Sequence, residues 1–254
     1  MRYALLVAYD GTNYAGWQIQ KNAVTVQEKL TAALQETLGC SVTVTASGRT
    51  DSGVHAAAQV CHFDAETDIP ADKIADALNF RLPDDISVLQ SVAAPEGFDA
   101  SSSVKKKTYC YRLYLSRCRS PLKDRYAVQI KYPIDLQKLI YAGKMFEGEH
   151  DFKAYCAAGS NVKTTIRTVH SVEVKTEKRR GSLDLEIYFT GNGFLYNMVR
   201  TLVGTMLYFA AGRIGEEQIK RSLCDKDRSA VGKTMPANGL TLESVDYGIN
   251  LFLQ

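Results

Sequence analysis

The sequence has no Cys-x-x-Cys pair and no Cys/His spacing of zinc type, although it contains six cysteines. Free buried thiols are the expected state. Cys61 and His62, with His55 nearby, suggest a metal corner, but neighbours on an extended strand face opposite ways. No metal and no cofactor are expected. The chain also lacks an apolar run that could span a bilayer, since its longest, Phe194 to Ala211, carries Asn197, Arg200 and Thr201. That run reads as a buried helix, and no membrane partner is expected. Met1 to Asp10 turns polar too soon for a signal peptide, so a cytoplasmic location is expected.

Apolar residues make up 45% of the 254 positions and charged residues 23%, the balance of a globular chain of one large or two ordinary domains. The net charge of +3 hides an asymmetry: residues 1–100 hold 6 Lys/Arg against 13 Asp/Glu, and residues 101–254 hold 25 against 15. A basic second part suits a polyanionic partner, and it equally suits an acidic face or a second subunit.

Residues 2 to 9 read as a strand. A Gly-rich aromatic loop follows, Tyr9-Asp10-Gly11-Thr12-Asn13-Tyr14-Ala15-Gly16-Trp17-Gln18. Thr25-Val26-Gln27-Glu28 is a capping box, and Val26, Leu30, Ala33, Leu34 and Leu38 share a helical face that Gly39 ends. Strands are expected at Val42 to Ala46 and Val54 to Phe63. A second helix with Ile74, Ala77 and Leu78 inward precedes a strand from Ile86 to Val92. This βαββαβ order is the ferredoxin-like arrangement, an antiparallel sheet with helices on one face and the other face free for a ligand.

Residues from 101 onward repeat the order. Strands are expected at Thr108 to Leu115, Tyr126 to Ile130, Arg167 to Lys175, Leu183 to Phe189 and Leu242 to Tyr247, and helices at Asp135 to Phe146, from Phe194, and at Glu216 to Leu223. The fold expected is α+β: two ferredoxin-like units, 1–100 and 101–254, with antiparallel sheets side by side around a central cleft. The last strand is expected to complete the second unit.

Between the strands at Val42 and Val54 lies Ser47-Gly48-Arg49-Thr50-Asp51-Ser52-Gly53-Val54-His55-Ala56, a tight loop with Asp51 at its tip. Its glycines permit positive φ or close backbone approach, and Arg49 and Thr50 place a cation and a hydroxyl beside the carboxylate. A hairpin whose Asp caps its own turn reads the same way. Arg200 lies among apolar neighbours, so its guanidinium requires a carboxylate or phosphate, for which Asp51 is a candidate, or a route past them to solvent. Lys105-Lys106-Lys107-Thr108-Tyr109-Cys110-Tyr111-Arg112 interleaves cations with aromatics, with Arg117, Arg119, Lys123 and Arg125 close behind. Tyr109 and Tyr111 fall on one face of the strand, either to stack on a base or to fill a core. Asp10-Gly11-Thr12 invites comparison with aspartate-nucleophile phosphatases, but Ala8 stands where their nucleophile would be.

Tyr9-Asp10-Gly11-Thr12-x-Tyr14-x-Gly16-Trp17-Gln18, Thr25-Val26-Gln27, Gly48-Arg49-Thr50-Asp51-x-Gly53-Val54-His55-Ala56, Lys107-x-Tyr109-x-Tyr111, Gly148-x-His150-Asp151-Phe152, Gly193-Phe194-Leu195-x-Asn197-Met198-Val199-Arg200-x-Leu202-Val203-Gly204 and Gly239-Leu240 occur in that order. In this the chain closely resembles the tRNA pseudouridine synthases of the TruA type, nearly end to end. The resemblance implies the pseudouridine synthase fold, isomerisation of uridine to pseudouridine at positions 38, 39 and 40 of the tRNA anticodon stem-loop, and a homodimer. It also implies roles: Asp51 as the catalytic aspartate, Tyr109 as the tyrosine stacked on the target base, Arg49 as the arginine that helps displace the base, and Arg200 as the partner of Asp51. Asp51 would act as nucleophile or as base. In Phe98-Asp99-Ala100-Ser101-Ser102-Ser103, Ser101 and Ser102 replace the family's usual Arg and Phe, so an RNA contact is expected to be lost or moved.

Overall fold

The computed structural model describes residues 1–157, 159 and 162–252, which form two compact units: Met1–Lys107 with Thr241–Gln254, and Thr108–Leu240. Each holds part of a mixed α and β architecture.

In the first unit, β1 (Arg2–Tyr9) lies antiparallel to β3 (His55–Asp64) and to β4 (Ile86–Ala93). β2 (Thr45–Ala46) pairs antiparallel with one end of β3, opposite Cys61 and His62. β10 (Leu240–Asp246) pairs parallel with the other end, at His55 and Ala56. The last strand, expected to complete the second unit, is therefore a neighbour of β3 in the first.

Two helices connect these strands. Helix α1 (Val26–Leu38) starts on the expected capping box, with the Thr25 hydroxyl accepting the Glu28 N–H, and ends on Gly39 at φ 66°. Helix α2 (Ile74–Asn79) is short and buries Ile74, Ala75 and Leu78. The opposite face of the sheet is not left free as expected. Ala4 and Val60 pack there against Phe98, Ala100 and Tyr247, with Leu251 and Phe252 alongside.

The second unit builds its sheet in the order β5 (Lys106–Leu115), β9 (Ser182–Gly191), β8 (Ile166–Arg179), β7 (Gly148–Asp151), with β6 (Val128–Ile130) parallel to β5. β5-β9-β8 matches the order β1-β3-β2 of the first unit, so the repeat is visible in topology. Helices α3 (Leu136–Lys144), α4 (Met198–Ala210) and α5 (Glu216–Cys224) complete it. α4 is the most deeply buried, with Leu202, Val203, Met206 and Leu207 fully shielded. No helix among the described residues is long and apolar enough to cross a membrane.

Candidate active site

The Asp51 loop is fixed by the loop that follows β1, through backbone more than through side chains. Trp17 N–H donates to the Thr50 carbonyl at 3.1 Å, and the Tyr14 carbonyl accepts the Gly53 N–H at 3.2 Å and the Ser52 hydroxyl at 3.3 Å. The loop closes on itself where Val54 N–H donates to the Asp51 carbonyl at 3.1 Å. Residues on both sides of Asp51 are thus anchored, while its side chain stays half-exposed.

This clasp explains two of the glycines. A Cβ on Gly16, whose φ is +91°, would lie 2.5 Å from the Thr50 carbonyl oxygen, and one on Gly11 would lie 2.0 Å from that of Val54. Gly53, at φ 75°, turns the chain back into β3.

Buried polar contacts hold the loop from beneath. Tyr9 shares a 2.7 Å hydrogen bond with Thr50, and burial pushes its phenol well above the ordinary value, so it remains protonated. The Ser47 hydroxyl donates to Gln59 Oε1 at 2.5 Å, Gln59 Nε2 donates to the Gly48 carbonyl at 2.9 Å, and Lys107 Nζ donates to the Ser47 carbonyl at 2.6 Å. His55 Nδ1 accepts the Gly11 N–H at 3.1 Å. With His62 Nδ1 accepting the Ala100 N–H and Cys61 shut in the core, the three residues of the imagined metal corner have structural work of their own. Asp10 accepts the N–H and hydroxyl of Thr12, which makes it the cap of a turn.

Arg49, also in the first unit, is exposed. Ser101 and Ser102 are exposed as well, and their N–H groups donate to the Asp99 carboxylate, whose acidity they raise.

Tyr109 and Arg200 belong to the second unit. Tyr109 is buried on β5, with its ring edge-on to Phe194 at 5.3 Å. Tyr111 is a core residue: its hydroxyl donates to the Pro236 carbonyl at 2.6 Å, and a Cβ on Gly239 would lie 2.8 Å from its ring. Arg200 projects from α4 half-buried, its Nε donating to the Met235 carbonyl at 2.7 Å and its Nη1 to Asn197 Oδ1 at 2.6 Å. Part of what a cation in that place requires is met by neutral oxygens of its own unit. Asn197 adopts φ 61°, so α4 starts at Met198 and not at Phe194.

The basic strand is less available than its composition suggests. Arg112 pairs with Glu186 at 3.0 Å, Lys123 with Asp184 at 2.6 Å and Arg119 with Asp124 at 2.8 Å, while Lys105, Lys106 and Arg117 are exposed. Tyr14, whose carbonyl holds the loop and whose hydroxyl donates to Asp85, and Asp85 itself were not singled out by the sequence. Tyr14 sits in a loop marked by its glycines and aromatics, but Asp85, one of two adjacent aspartates after Pro83, carries no local signal.

A family model described as tRNA pseudouridine synthase matches residues 5–101 and 142–248. The chain is 43% identical over 243 residues to a tRNA pseudouridine synthase A of Ruminiclostridium cellulolyticum, covering 96% of this chain and 98% of that one. With the protein of the same name from Bacillus velezensis it shares 43% over 250 residues, 97% and 99% of the two chains. A weaker likeness, TM-score 0.36 at 14% identity, is to a chain in the crystal structure of a Cbf5-Nop10-Gar1 complex, covering 81% of this chain and 45% of that one. The chain belongs to the tRNA pseudouridine synthase family, and with it to the α+β isomerases that act on uridine in tRNA.

Proposed function

We propose that this protein isomerises uridine to pseudouridine in the anticodon stem-loop of tRNA, at positions 38, 39 and 40, with Asp51 as its catalytic carboxylate. The observation that carries this reading is the loop itself: a half-exposed aspartate in a segment anchored by backbone contacts on both sides. A turn that only joined two strands would need neither the aspartate nor so much support.

The reaction detaches uracil at its N1–C1′ bond, turns it, and rejoins it through C5. It needs no oxidant and no net water. A fixed carboxylate suffices, attacking C1′ or removing a ribose proton. Tyr109 is proposed to stack on the target base, Arg49 to help displace it, and Arg200 to serve as the counter-ion of Asp51. The support is their match to the family's motifs, together with the hydrogen bonds that orient Arg200 within its own unit. A homodimer working in the cytoplasm completes the proposal.

The test is incubation with tRNA tritiated at uracil C5. Wild type is expected to release tritium and Asp51→Asn to release none above background. Silence from wild type overturns the reading, and release by Asp51→Asn overturns the assignment of Asp51.

A further inference from the structure

Asp85 lies in the turn before β4, far in sequence from the Asp51 loop, and it meets the clasp around that loop in three places. Its Oδ1 accepts the Tyr14 hydroxyl at 2.5 Å, its Oδ2 accepts Asn13 Nδ2 at 3.4 Å, and its backbone carbonyl accepts the Asp10 N–H at 2.9 Å. Tyr14 is 5% exposed, and burial, then the Asp85 carboxylate, push its phenol well above the ordinary range. The phenol therefore stays protonated and donates to the Asp85 carboxyl oxygen.

The other end of the same residue is what touches the site. The Tyr14 carbonyl takes both the Gly53 N–H and the Ser52 hydroxyl, the two residues that follow Asp51. Tyr14 N–H donates to the Gly11 carbonyl at 3.0 Å, which closes the turn capped by Asp10. Ring and backbone of Tyr14 therefore join the turn before β4 to the C-terminal side of Asp51. Its N-terminal side is held separately, by Trp17 on Thr50.

We propose that Asp85, acting through Tyr14, is a positioning residue for Asp51, and that this pair sets how closely the carboxylate keeps its reactive orientation. The proposal rests on Asp51 being the catalytic carboxylate. A displacement of even 1 Å at a reacting group costs orders of magnitude in rate, and a lost phenol–carboxylate bond at the far end of Tyr14 frees the peptide that orients Ser52 and Gly53.

The experiment measures single-turnover tritium release at saturating enzyme, tRNA affinity and thermal stability for Tyr14→Phe, Asp85→Ala and the double variant. Each single variant is expected to react about tenfold or more slowly. tRNA affinity is expected to stay near that of wild type, with each variant folded well above the assay temperature. The double variant is expected to be no slower than the slower single one, because both remove the same bond. Asp85→Glu, which keeps the carboxylate, is expected to recover part of the rate. Unchanged rates in both singles overturn the proposal. So does a loss that tracks the unfolded fraction and vanishes on cooling. Asp51→Asn, measured in parallel, separates the two ideas: its activity would overturn the reading of Asp51, whereas its inactivity beside a fully active Tyr14→Phe would overturn only the role of Asp85 and Tyr14.

Discussion

At the scale of single residues the site is decided by close approaches that leave no room for a side chain. Gly16→Ala would place a Cβ 2.5 Å from the Thr50 carbonyl and hold an L residue at φ +91°. Left-handed backbone costs a non-glycine residue about 1 kcal/mol, and relieving the overlap moves Thr50, so a total loss of at least about 2 kcal/mol is expected. Melting of the variant checks the stability, and single-turnover tritium release at a temperature where it stays folded is expected to be slowed as well. His62 supplies a pH dependence. Burial, and after it Arg2, holds its imidazole below the ordinary value, against the opposing pull of Asp99 and Asp64, and its Nδ1 must be unprotonated to accept the Ala100 N–H. The unfolded chain takes up this proton near pH 6.5, before the folded protein does, so the stabilisation is complete above that pH and is lost as pH falls through the lower folded value. Asp64 and Asp99, both held below the carboxylate range, act at lower pH still and do not mask it. His62→Asn, which keeps an acceptor for Ala100, is expected to flatten the fall in Tm between about pH 7 and pH 5. Asp51 was legible as a candidate because glycines flank it. Asp85 was not, because its meaning comes from a partner 71 positions away.

At the scale of elements, local chemistry marked ends better than pairings. α1 was legible at both ends, from its capping box and its left-handed glycine. The strand expected from Val42 shrinks to Thr45–Ala46, in part because the Val44 carbonyl takes the Gln27 side-chain amide at 2.9 Å. The start of α4 depends on one left-handed asparagine in an apolar run, which no periodicity reveals. β10 was recognised as a strand, but its partner was not, since parallel pairing with β3 joins Thr241 to His55, residues far apart in the sequence. α4 carries the prediction at this scale. A Cβ on Gly204 would lie 1.9 Å from the Lys233 carbonyl, and Thr201 and Thr205 hydrogen-bond to Thr234 and Gly232 of the same segment. That segment ends at Met235, whose carbonyl holds Arg200 Nε. Gly204→Ala must push it away, at an expected cost of about 2–4 kcal/mol. Gly39→Ala is a control: its φ is +66° with open space around it, so strain alone is expected, about 1 kcal/mol. Melting of the two variants checks the order, and Gly204→Ala alone is expected to lower turnover.

At the scale of the whole molecule, the charge asymmetry sharpens once the units are drawn by structure. Residues 108–240 hold 22 Lys/Arg against 13 Asp/Glu, a net +9, and the first unit holds 9 against 15, a net −6. Counting cations overstates what a polyanion can use, because Arg112, Arg119 and Lys123 are already paired with Glu186, Asp124 and Asp184. A cation that reaches a phosphate releases a counterion, and each such contact adds somewhat under one unit to the slope of log affinity against log salt. tRNA affinity is therefore expected to fall steeply and linearly on that plot. Lys106→Gln and Arg117→Gln, which neutralise exposed cations on and just after β5, are expected to flatten the slope by about one unit each where those side chains meet phosphate. Lys123→Gln is expected to leave the slope unchanged and to lower Tm slightly instead, since half-buried Asp184 loses its 2.6 Å partner and keeps Arg179 at 3.2 Å and the Ser182 hydroxyl. Filter binding of tRNA across a range of salt, with melting of the same variants, separates the two groups. A flattened slope for Lys123→Gln would mean that its pair with Asp184 opens to take RNA, and an unchanged slope for both exposed cations would place the tRNA away from the two ends of β5.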